Sequence, residues 1–153
     1  MRKILLALAA SAVVASPALA NEARVEARGG VYWSNGYSQD AYGLAAGYDY
    51  DLGEKAFAGF EVSGDKIADT GTKVAFGLTG RLGTRLSEKT KLFVAGGYTT
   101  EPCTLCDGAW DAGAGLEQGF GSKLYGKVEY RHFFTKSGSP DSDAVMAGLG
   151  VKF

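Results

Sequence analysis

The sequence lacks a basic excess, has a single histidine and, after residue 20, has no long apolar run. A transmembrane helix needs about 20 consecutive apolar residues, so none is expected after residue 20. The chain carries 16 basic and 17 acidic residues, so nucleic acid is not expected as a partner. It also lacks a Gly-rich phosphate loop with its lysine and a nucleophile–base–acid set. We therefore expect no cofactor and no enzymatic activity.

The first twenty residues have the features of a secretory signal peptide. Arg2 and Lys3 precede a short apolar run, and Ala18-Leu19-Ala20 matches the small-x-small pattern at which signal peptidase cleaves. We expect residues 1–20 to be a signal peptide and residues 21–153 to form one domain. The alternative is an N-terminal membrane anchor, for which the apolar run is short. Without Arg2 and Lys3, 14 basic residues face 17 acidic ones, a net charge of −3.

Glycine and aromatic residues are abundant after residue 20. All 23 glycines lie there, about 17% of that part, against a usual share of roughly 7%. The same part holds 8 tyrosines and 8 phenylalanines. This composition is unlike that of a helical protein. It favours a tightly curved sheet that carries its aromatic side chains on one face.

Eight runs of about ten residues, separated by turn signals, predict eight strands. Their predicted bounds are about 23–33, 41–52, 56–64, 74–86, 91–99, 109–120, 124–135 and 144–153. Three predicted connections are short and polar, at residues 53–55, 87–90 and 121–123. The other four are longer, at residues 34–40, 65–73, 100–108 and 136–143. Short and long connections therefore alternate, which is typical of up-and-down transmembrane barrels.

Within these runs, apolar side chains alternate with small or charged ones. In the second run, Leu44 and Tyr48 share one face, whereas Gly47 and Asp49 share the other. A soluble sandwich also alternates, but its solvated face would carry more Lys and Glu than the Gly-rich face seen here. We therefore expect the apolar face to contact lipid and the other face to fill a narrow lumen. The predicted fold is all-β, an eight-stranded antiparallel up-and-down transmembrane β-barrel.

Charged residues on the predicted inward face are balanced in sign. They are Arg24, Glu26, Arg28, Asp49, Asp51, Glu61, Arg81, Arg85, Glu117, Lys127, Glu129 and Arg131. A buried charge needs a partner, because its desolvation is otherwise very costly. We therefore expect a lumen plugged by paired charges, with a narrow or gated channel for small solutes as the alternative.

Large aromatic side chains cluster at both ends of the predicted apolar face. With the first strand running outward, Trp33, Tyr42, Tyr98 and Trp110 fall at the outer rim. Tyr48, Tyr50, Phe120 and Phe153 fall at the periplasmic rim. Two aromatic belts are typical of a protein that meets two membrane interfaces. The alternative is a soluble periplasmic barrel that binds an apolar ligand inside.

Cys103 and Cys106 are the only cysteines, and they lie in the third long connection. In an oxidising compartment, a local disulfide is the favoured interpretation, and two free thiols remain an alternative. A redox site would need a thioredoxin-like βαβ setting, and a zinc site would need two more ligands. We expect neither a redox site nor a metal site here.

His132 is predicted to face lipid near the outer end of the seventh strand. Some outer-membrane barrels modify lipid A with a histidine near that interface. A hydroxyl nucleophile on the same face would lie two positions later, but that residue is Phe134, and Thr135 points to the other face. A histidine at the lipid headgroup boundary is the favoured interpretation.

Two segments carry a resemblance to a known family. They are Leu124-Tyr125-Gly126-Lys127-Val128-Glu129-Tyr130-Arg131 and the final nine residues, Val145 to Phe153. They resemble the small eight-stranded outer-membrane β-barrels, which include opacity-type surface proteins, the transmembrane domain of outer membrane protein A and small porin-family barrels. In that family, a terminal phenylalanine such as Phe153, with Val151 before it, looks like the signal that the barrel-assembly machinery reads.

The resemblance implies a place in the outer membrane of a Gram-negative bacterium, reached by secretion across the inner membrane. Outer-membrane lipids would then surround the barrel, and periplasmic chaperones and the barrel-assembly machinery would handle it during biogenesis. The family has no single function. We expect a structural or surface-interaction role, and the sequence indicates no particular surface ligand.

Overall fold

The computed structural model describes residues 21–135 and 140–153. The predicted signal peptide lies outside the described residues. Within the described ranges, no helix is long and apolar enough to cross a membrane.

Eight antiparallel strands form a closed barrel, in which each strand pairs with its sequence neighbours and the first pairs with the last. The strands are β1 (Glu22–Ser34), β2 (Tyr37–Asp51), β3 (Ala56–Ile67), β4 (Ala75–Arg85), β5 (Thr90–Thr99), β6 (Ala109–Phe120), β7 (Leu124–Phe134) and β8 (Ser142–Lys152). The predicted fold class, an eight-stranded up-and-down barrel, is confirmed. Closure leaves no unpaired sheet edge, which a strand protein in hydrocarbon requires.

Side chains alternate strictly between the two faces of the sheet. The outward leucines Leu44, Leu78 and Leu149 are 65%, 62% and 69% exposed, whereas Arg81 and Glu129 are 3% and 2% exposed. A soluble barrel has the opposite arrangement, because its apolar side chains must leave water. The alternative of a soluble periplasmic barrel is therefore wrong.

The first connection is much shorter than predicted. Residues 34–40 were expected to form a long loop, but β1 and β2 are joined by the two residues Asn35 and Gly36. Both have positive φ, 49° and 83°, as the tight hairpin turn that matches strand twist requires. Asn-Gly between two alternating runs is a strong hairpin signal. It explains why β1 and β2 both extend to this turn and leave no long loop between them.

The two ends of the barrel differ in the length of their connections. At one end, called the turn end, the strands are joined by residues 52–55, 86–89 and 121–123. At the other, called the loop end, the connections are residues 35–36, 68–74, 100–108 and 135–141. Three of the four loop-end connections are thus longer than any at the turn end. The two ends therefore differ in connection length even though the first loop-end connection is short.

Candidate functional site

The lumen holds a neutral set of buried charges. Twelve ionisable side chains of the described residues, six cations and six anions, are less than 9% exposed. They are Arg24, Arg28, Arg81, Lys91, Lys127, Arg131, Glu26, Asp49, Glu61, Asp111, Glu117 and Glu129. They include ten of the twelve charged residues predicted to face inward, all except Asp51 and Arg85. The partly buried pair of Arg85 and Asp51 lies nearer the turn end.

Glu61 on β3 is the hub of this network, because cations from β1 and β7 converge on it. Its Oε2 accepts a hydrogen bond from Arg24 Nη1 at 2.6 Å, and its Oε1 accepts one from Arg28 Nη1 at 2.8 Å. Lys127 Nζ lies 3.1 Å from Oε2. Arg131 Nη2 lies 3.6 Å from Oε1. One carboxylate therefore links opposite walls of the lumen.

Arg81 on β4 organises the half of the lumen nearer the turn end. Its Nε donates to Asp49 Oδ1 at 2.8 Å, and its Nη1 donates to Glu117 Oε2 at 3.1 Å. The guanidinium carbon also lies 5.3 Å and 5.0 Å from the ring centroids of Phe57 and Phe93. These distances are those of cation–π contacts. The side chain is thus held by charge and by aromatic rings together.

Two buried charges were missed by the sequence reasoning. Lys91 Nζ contacts Glu22 at 2.6 Å and Asp49 at 3.1 Å. Asp111 accepts hydrogen bonds from Thr99 at 3.0 Å and from Arg131 at 3.2 Å. Asp111 shares its face with Glu117, so the period-two pattern of β6 was sufficient to find it. Lys91 precedes a run that is apolar on both faces, so its face was ambiguous.

Inward rings lie against glycines of the neighbouring strand. Phe57 is paired in register with Gly83, and Tyr125 is paired with Gly150. A Cβ atom at Gly83 would lie 2.6 Å from the Phe57 ring, and one at Gly150 would lie 2.6 Å from the Tyr125 ring. The glycines therefore provide the space that lets aromatic rings fit inside so narrow a barrel. Tyr125 also donates to Glu26 at 2.8 Å.

All eight predicted belt residues lie on the outward-facing positions of the barrel or at its rim. Trp33, Tyr42, Tyr98 and Trp110 lie toward the loop end, and Tyr48, Tyr50, Phe120 and Phe153 lie toward the turn end. Neighbouring rings contact each other within both groups. Tyr98 and Trp110 have ring centroids 5.4 Å apart, and Tyr48 and Tyr50 have centroids 4.8 Å apart. The apolar band between them is suited to a bilayer interior.

The C-terminal residues close the seam between β8 and β1. Val151 is paired with Val25 of β1, and Phe153 N–H donates to the carbonyl of Ala23 at 2.9 Å. The Phe153 ring is exposed at the turn end. The two residues predicted to form the assembly signal therefore lie at the seam where the barrel closes.

Two loops at the loop end are fastened to each other. Cys103 and Cys106 form a disulfide within residues 100–108, and Cys103 forms a β-bridge with Thr72 of the preceding loop. Lys73 Nζ donates to Glu101 at 2.6 Å. This hydrogen bond and the adjacent positive charge hold the pKa of Glu101 below its usual range. Leu105, between the cysteines, is fully exposed at the tip of this joined unit.

His132 lies on the outward face in a small polar cluster near the loop end. Its Nδ1 is 2.8 Å from Asp143 Oδ1, and Tyr130 donates its hydroxyl to the same oxygen at 2.5 Å. The Phe134 ring packs edge-on against the imidazole at 4.7 Å. The second carboxylate near the ring, Asp141, is 3.7 Å from Nε2. Within residues 21–135 and 140–153, no group of three or more His, Cys, Asp or Glu side chains suits a metal ion.

Comparison with known families identifies the architecture. The model of the outer membrane protein beta-barrel domain matches residues 5–153. The chain belongs to this family. Membership agrees with the exposed apolar band and the charged lumen, and it places the protein in the outer membrane, with membrane lipids around the barrel. The predicted family resemblance is confirmed.

Solved barrels from other bacteria have the same fold as this family member. The N-terminal β-barrel domain of Pseudomonas aeruginosa OprF is similar with a TM-score of 0.59 and 16% identity, over 86% of this chain and 97% of that one. Yersinia pestis Ail, in complex with the heparin analogue sucrose octasulfate, gives 0.56 and 14%, over 87% and 97%. The outer membrane enzyme PagL gives 0.56 and 13%, over 85% and 98%.

These similarities are below 25% identity and therefore show the fold alone. Comparison with curated proteins gives no match. The three similar structures include an enzyme and a protein bound to a sulfated ligand, so the shared barrel does not decide the function.

Proposed function

We propose that the protein is a non-conducting outer-membrane barrel with a structural and surface-interaction role. The observation that carries the proposal is the neutral network of twelve buried charges in the lumen. A pore needs a continuous polar space along the barrel axis, and such a space is typical of barrels with many more strands. Here an eight-stranded barrel contains six buried arginine and lysine side chains, each in contact with the carboxylate of Glu61, Asp49 or Glu117.

The network blocks the lumen at two levels. Nearer the turn end, Arg81 is packed between Phe57 and Phe93 while it binds Asp49 and Glu117. Nearer the loop end, cations of β1 and β7 reach Glu61 on β3 from across the barrel. Moving an ion past these groups requires breaking paired contacts at low dielectric, which is costly. This supports a plug over a narrow or gated channel.

Single-channel recording in planar bilayers tests the plug. The wild-type protein is expected to give no steady current. The quadruple variant Arg24→Ala, Glu61→Ala, Arg81→Ala and Glu117→Ala removes one cation and one anion at each of the two levels, so the lumen stays neutral while space is opened. That variant is expected to conduct. A steady wild-type current that the quadruple variant leaves unchanged would favour a channel and contradict the plug.

The loop end is proposed to face the cell exterior. In outer-membrane barrels the longer connections are extracellular and the short turns are periplasmic. The unit formed by residues 68–74 and 100–108 would then present Leu105 and a fixed backbone at the surface. The Ail complex shows that a barrel of this fold binds a sulfated ligand. Labelling of intact cells with a membrane-impermeant maleimide at Leu105→Cys in a disulfide-free background tests this orientation, with Glu54→Cys at the turn end as the control.

Biogenesis is proposed to follow the route of the family. Removal of residues 1–20 as a signal peptide, escort by periplasmic chaperones and insertion by the barrel-assembly machinery would precede closure of the β8–β1 seam. The exposed Phe153 ring and the outward Val151 support a role as the recognition signal. Mass determination of the mature N-terminus and heat-modifiable gel migration of Phe153→Ala are the direct tests.

A non-enzymatic role is proposed despite the shared fold of PagL. In the described part of the chain, the polar contacts of the His132 ring are to Asp143 and Asp141, and neither supplies a hydroxyl nucleophile. Mass spectrometry of lipid A from cells with and without the protein is expected to show the same species. A mass change that disappears with His132→Gln would show that the protein is an enzyme.

A further inference from the structure

The lumen contains a cavity of about 300 Å³ at the loop end, above the charge network. Its walls come from inward positions of the strands and from the loop of residues 100–108. Tyr32 and Phe133 form one side, with ring centroids 5.9 Å apart. Met146 and Pro102 also line it. A cavity of this size is at the lower end of the range of known small-molecule sites. We call it the outer cup.

The outer cup exists because small side chains occupy the inward positions at this level. Ala41, Ala75, Ala109 and Ala144, one on each even-numbered strand, are buried and line it. An eight-stranded barrel has just enough interior for side chains to fill it, so alanine at four inward positions leaves space. Toward the turn end, the larger buried side chains of Phe57, Arg81 and Phe93 occupy the interior. The cavity therefore results from the small side chains at the loop end, because the number of strands is the same along the whole barrel.

The floor of the outer cup is formed by charged side chains that are already paired with each other. Arg28 donates to Asp65 and Glu61, and Arg131 donates to Glu129 and Asp111. Lys66, near the end of β3, also lines the cup, and its ammonium group donates to the carbonyl and hydroxyl oxygens of Thr72. A charged ligand that reaches this floor would lose its hydration without gaining an unpaired countercharge, and this costs free energy. A neutral apolar ligand has no such cost, and it would contact alanine and aromatic walls where water lacks hydrogen-bond partners.

We propose that the outer cup binds a small uncharged molecule with an apolar body of about one ring. The binding is independent of conduction, because the cup ends on the charge network. It also differs from the rejected soluble-barrel alternative, since here the ligand sits inside a membrane barrel whose own apolar face is outside.

Met146 offers a direct readout, because it is the only methionine in residues 21–153 and it lines the cup. The full barrel in phospholipid nanodiscs, labelled with ¹³C at the methionine methyl group, is titrated with benzyl alcohol and separately with benzoate. Benzyl alcohol is expected to shift the Met146 methyl signal saturably. Benzoate has the same ring with a charge, and it is expected to bind at least about tenfold more weakly because its charge finds no free partner.

Two alanines of β6 provide the variant and its control. Ala109→Phe places a ring in the cup and is expected to abolish the saturable shift, whereas Ala112→Phe places the same ring on the outward face and is expected to preserve it. Folding of both is checked by heat-modifiable migration. If Ala109→Phe does not fold, Ala75→Leu replaces it.

Three results would overturn the proposal. The first is a wild-type shift that stays linear with benzyl alcohol, as partition into lipid would give. The second is binding of benzoate as tight as that of benzyl alcohol. The third is a saturable shift that the cup-filling variant leaves unchanged.

Discussion

Replacing the hub carboxylate Glu61 with glutamine tests most directly whether the buried charges of the lumen are paired. The substitution keeps the side-chain volume but removes the only negative charge that contacts both Arg24 at 2.6 Å and Arg28 at 2.8 Å. The buried network then changes from six cations and six anions to six cations and five anions. The new amide group also turns donors toward cations that themselves only donate.

The expected loss of stability is large for a single isosteric change. Removing one partner of a buried ion pair leaves an uncompensated charge and costs about 3–5 kcal/mol. Lys127 also loses its 3.1 Å contact to Glu61, although it keeps Glu26 at 2.7 Å. Because that partner remains, we expect a value nearer the lower limit, about 3 kcal/mol.

The assay is equilibrium unfolding in urea in lipid vesicles, followed by the fluorescence of Trp33 and Trp110. The free energy of unfolding is obtained by linear extrapolation. Glu54→Gln is the matched control, because it makes the same chemical change at an exposed turn residue. Substitutions at such exposed sites usually change stability by less than about 0.5 kcal/mol.

The two variants must therefore differ clearly in their unfolding midpoints. Equal midpoints for Glu61→Gln and Glu54→Gln would mean that the buried charges are hydrated or mobile in the membrane. The lumen would then not be sealed by paired charges.

Other predictions concern the lipid face, the lumen glycines and the loop end. Leu149→Arg puts a charge on the outward face and should cost about 2–4 kcal/mol near mid-bilayer, with Leu105→Arg in the exposed loop as a harmless control; equal folding yields in lipid would contradict the face assignment. Gly83→Ala should destabilise by about 1–3 kcal/mol through overpacking against the backbone carbonyl of Leu92 and the Phe57 ring. Gly80→Ala is the control, because it meets only an ordinary contact at 3.8 Å, and similar urea midpoints would refute the close approach. Reduction of the loop disulfide should speed proteolysis within residues 100–108 without changing the unfolding midpoint, and a cleavage rate unaffected by reduction would count against it.

Period-two alternation was sufficient to predict the barrel and the face of most charged residues. Small residues share the face of Glu61 and Arg81, which favours an inward position for both in a narrow barrel. The alternation failed where both faces are apolar, as in Leu92 to Ala95 of β5, so Lys91 was missed. The Asn35-Gly36 turn was missed for another reason, because its polar neighbours were interpreted as part of a loop.

The partners of each buried charge could not be predicted. Arg24 binds Glu61 on β3, and Arg81 binds Asp49 on β2 and Glu117 on β6, all of them 32–37 residues away in sequence. Each of these contacts joins two strands that are not neighbours in the sheet. They depend on strand tilt and stagger, which the hydrophobic pattern does not encode.

Charged residues of β1 form ion pairs with strands on both flanks of β1 in the barrel. Arg24 and Arg28 find Glu61 on β3, but Glu26 finds Lys127 and Tyr125 on β7, which come within reach only when β8 has joined β1. In an open sheet, Glu26 and Lys127 would keep only partners on their own strands, Arg28 at 3.8 Å and Glu129 at 3.1 Å. Closure of the β8–β1 seam adds the 2.7 Å pair between Glu26 and Lys127, so the ion pairs of the lumen are complete only in the closed barrel.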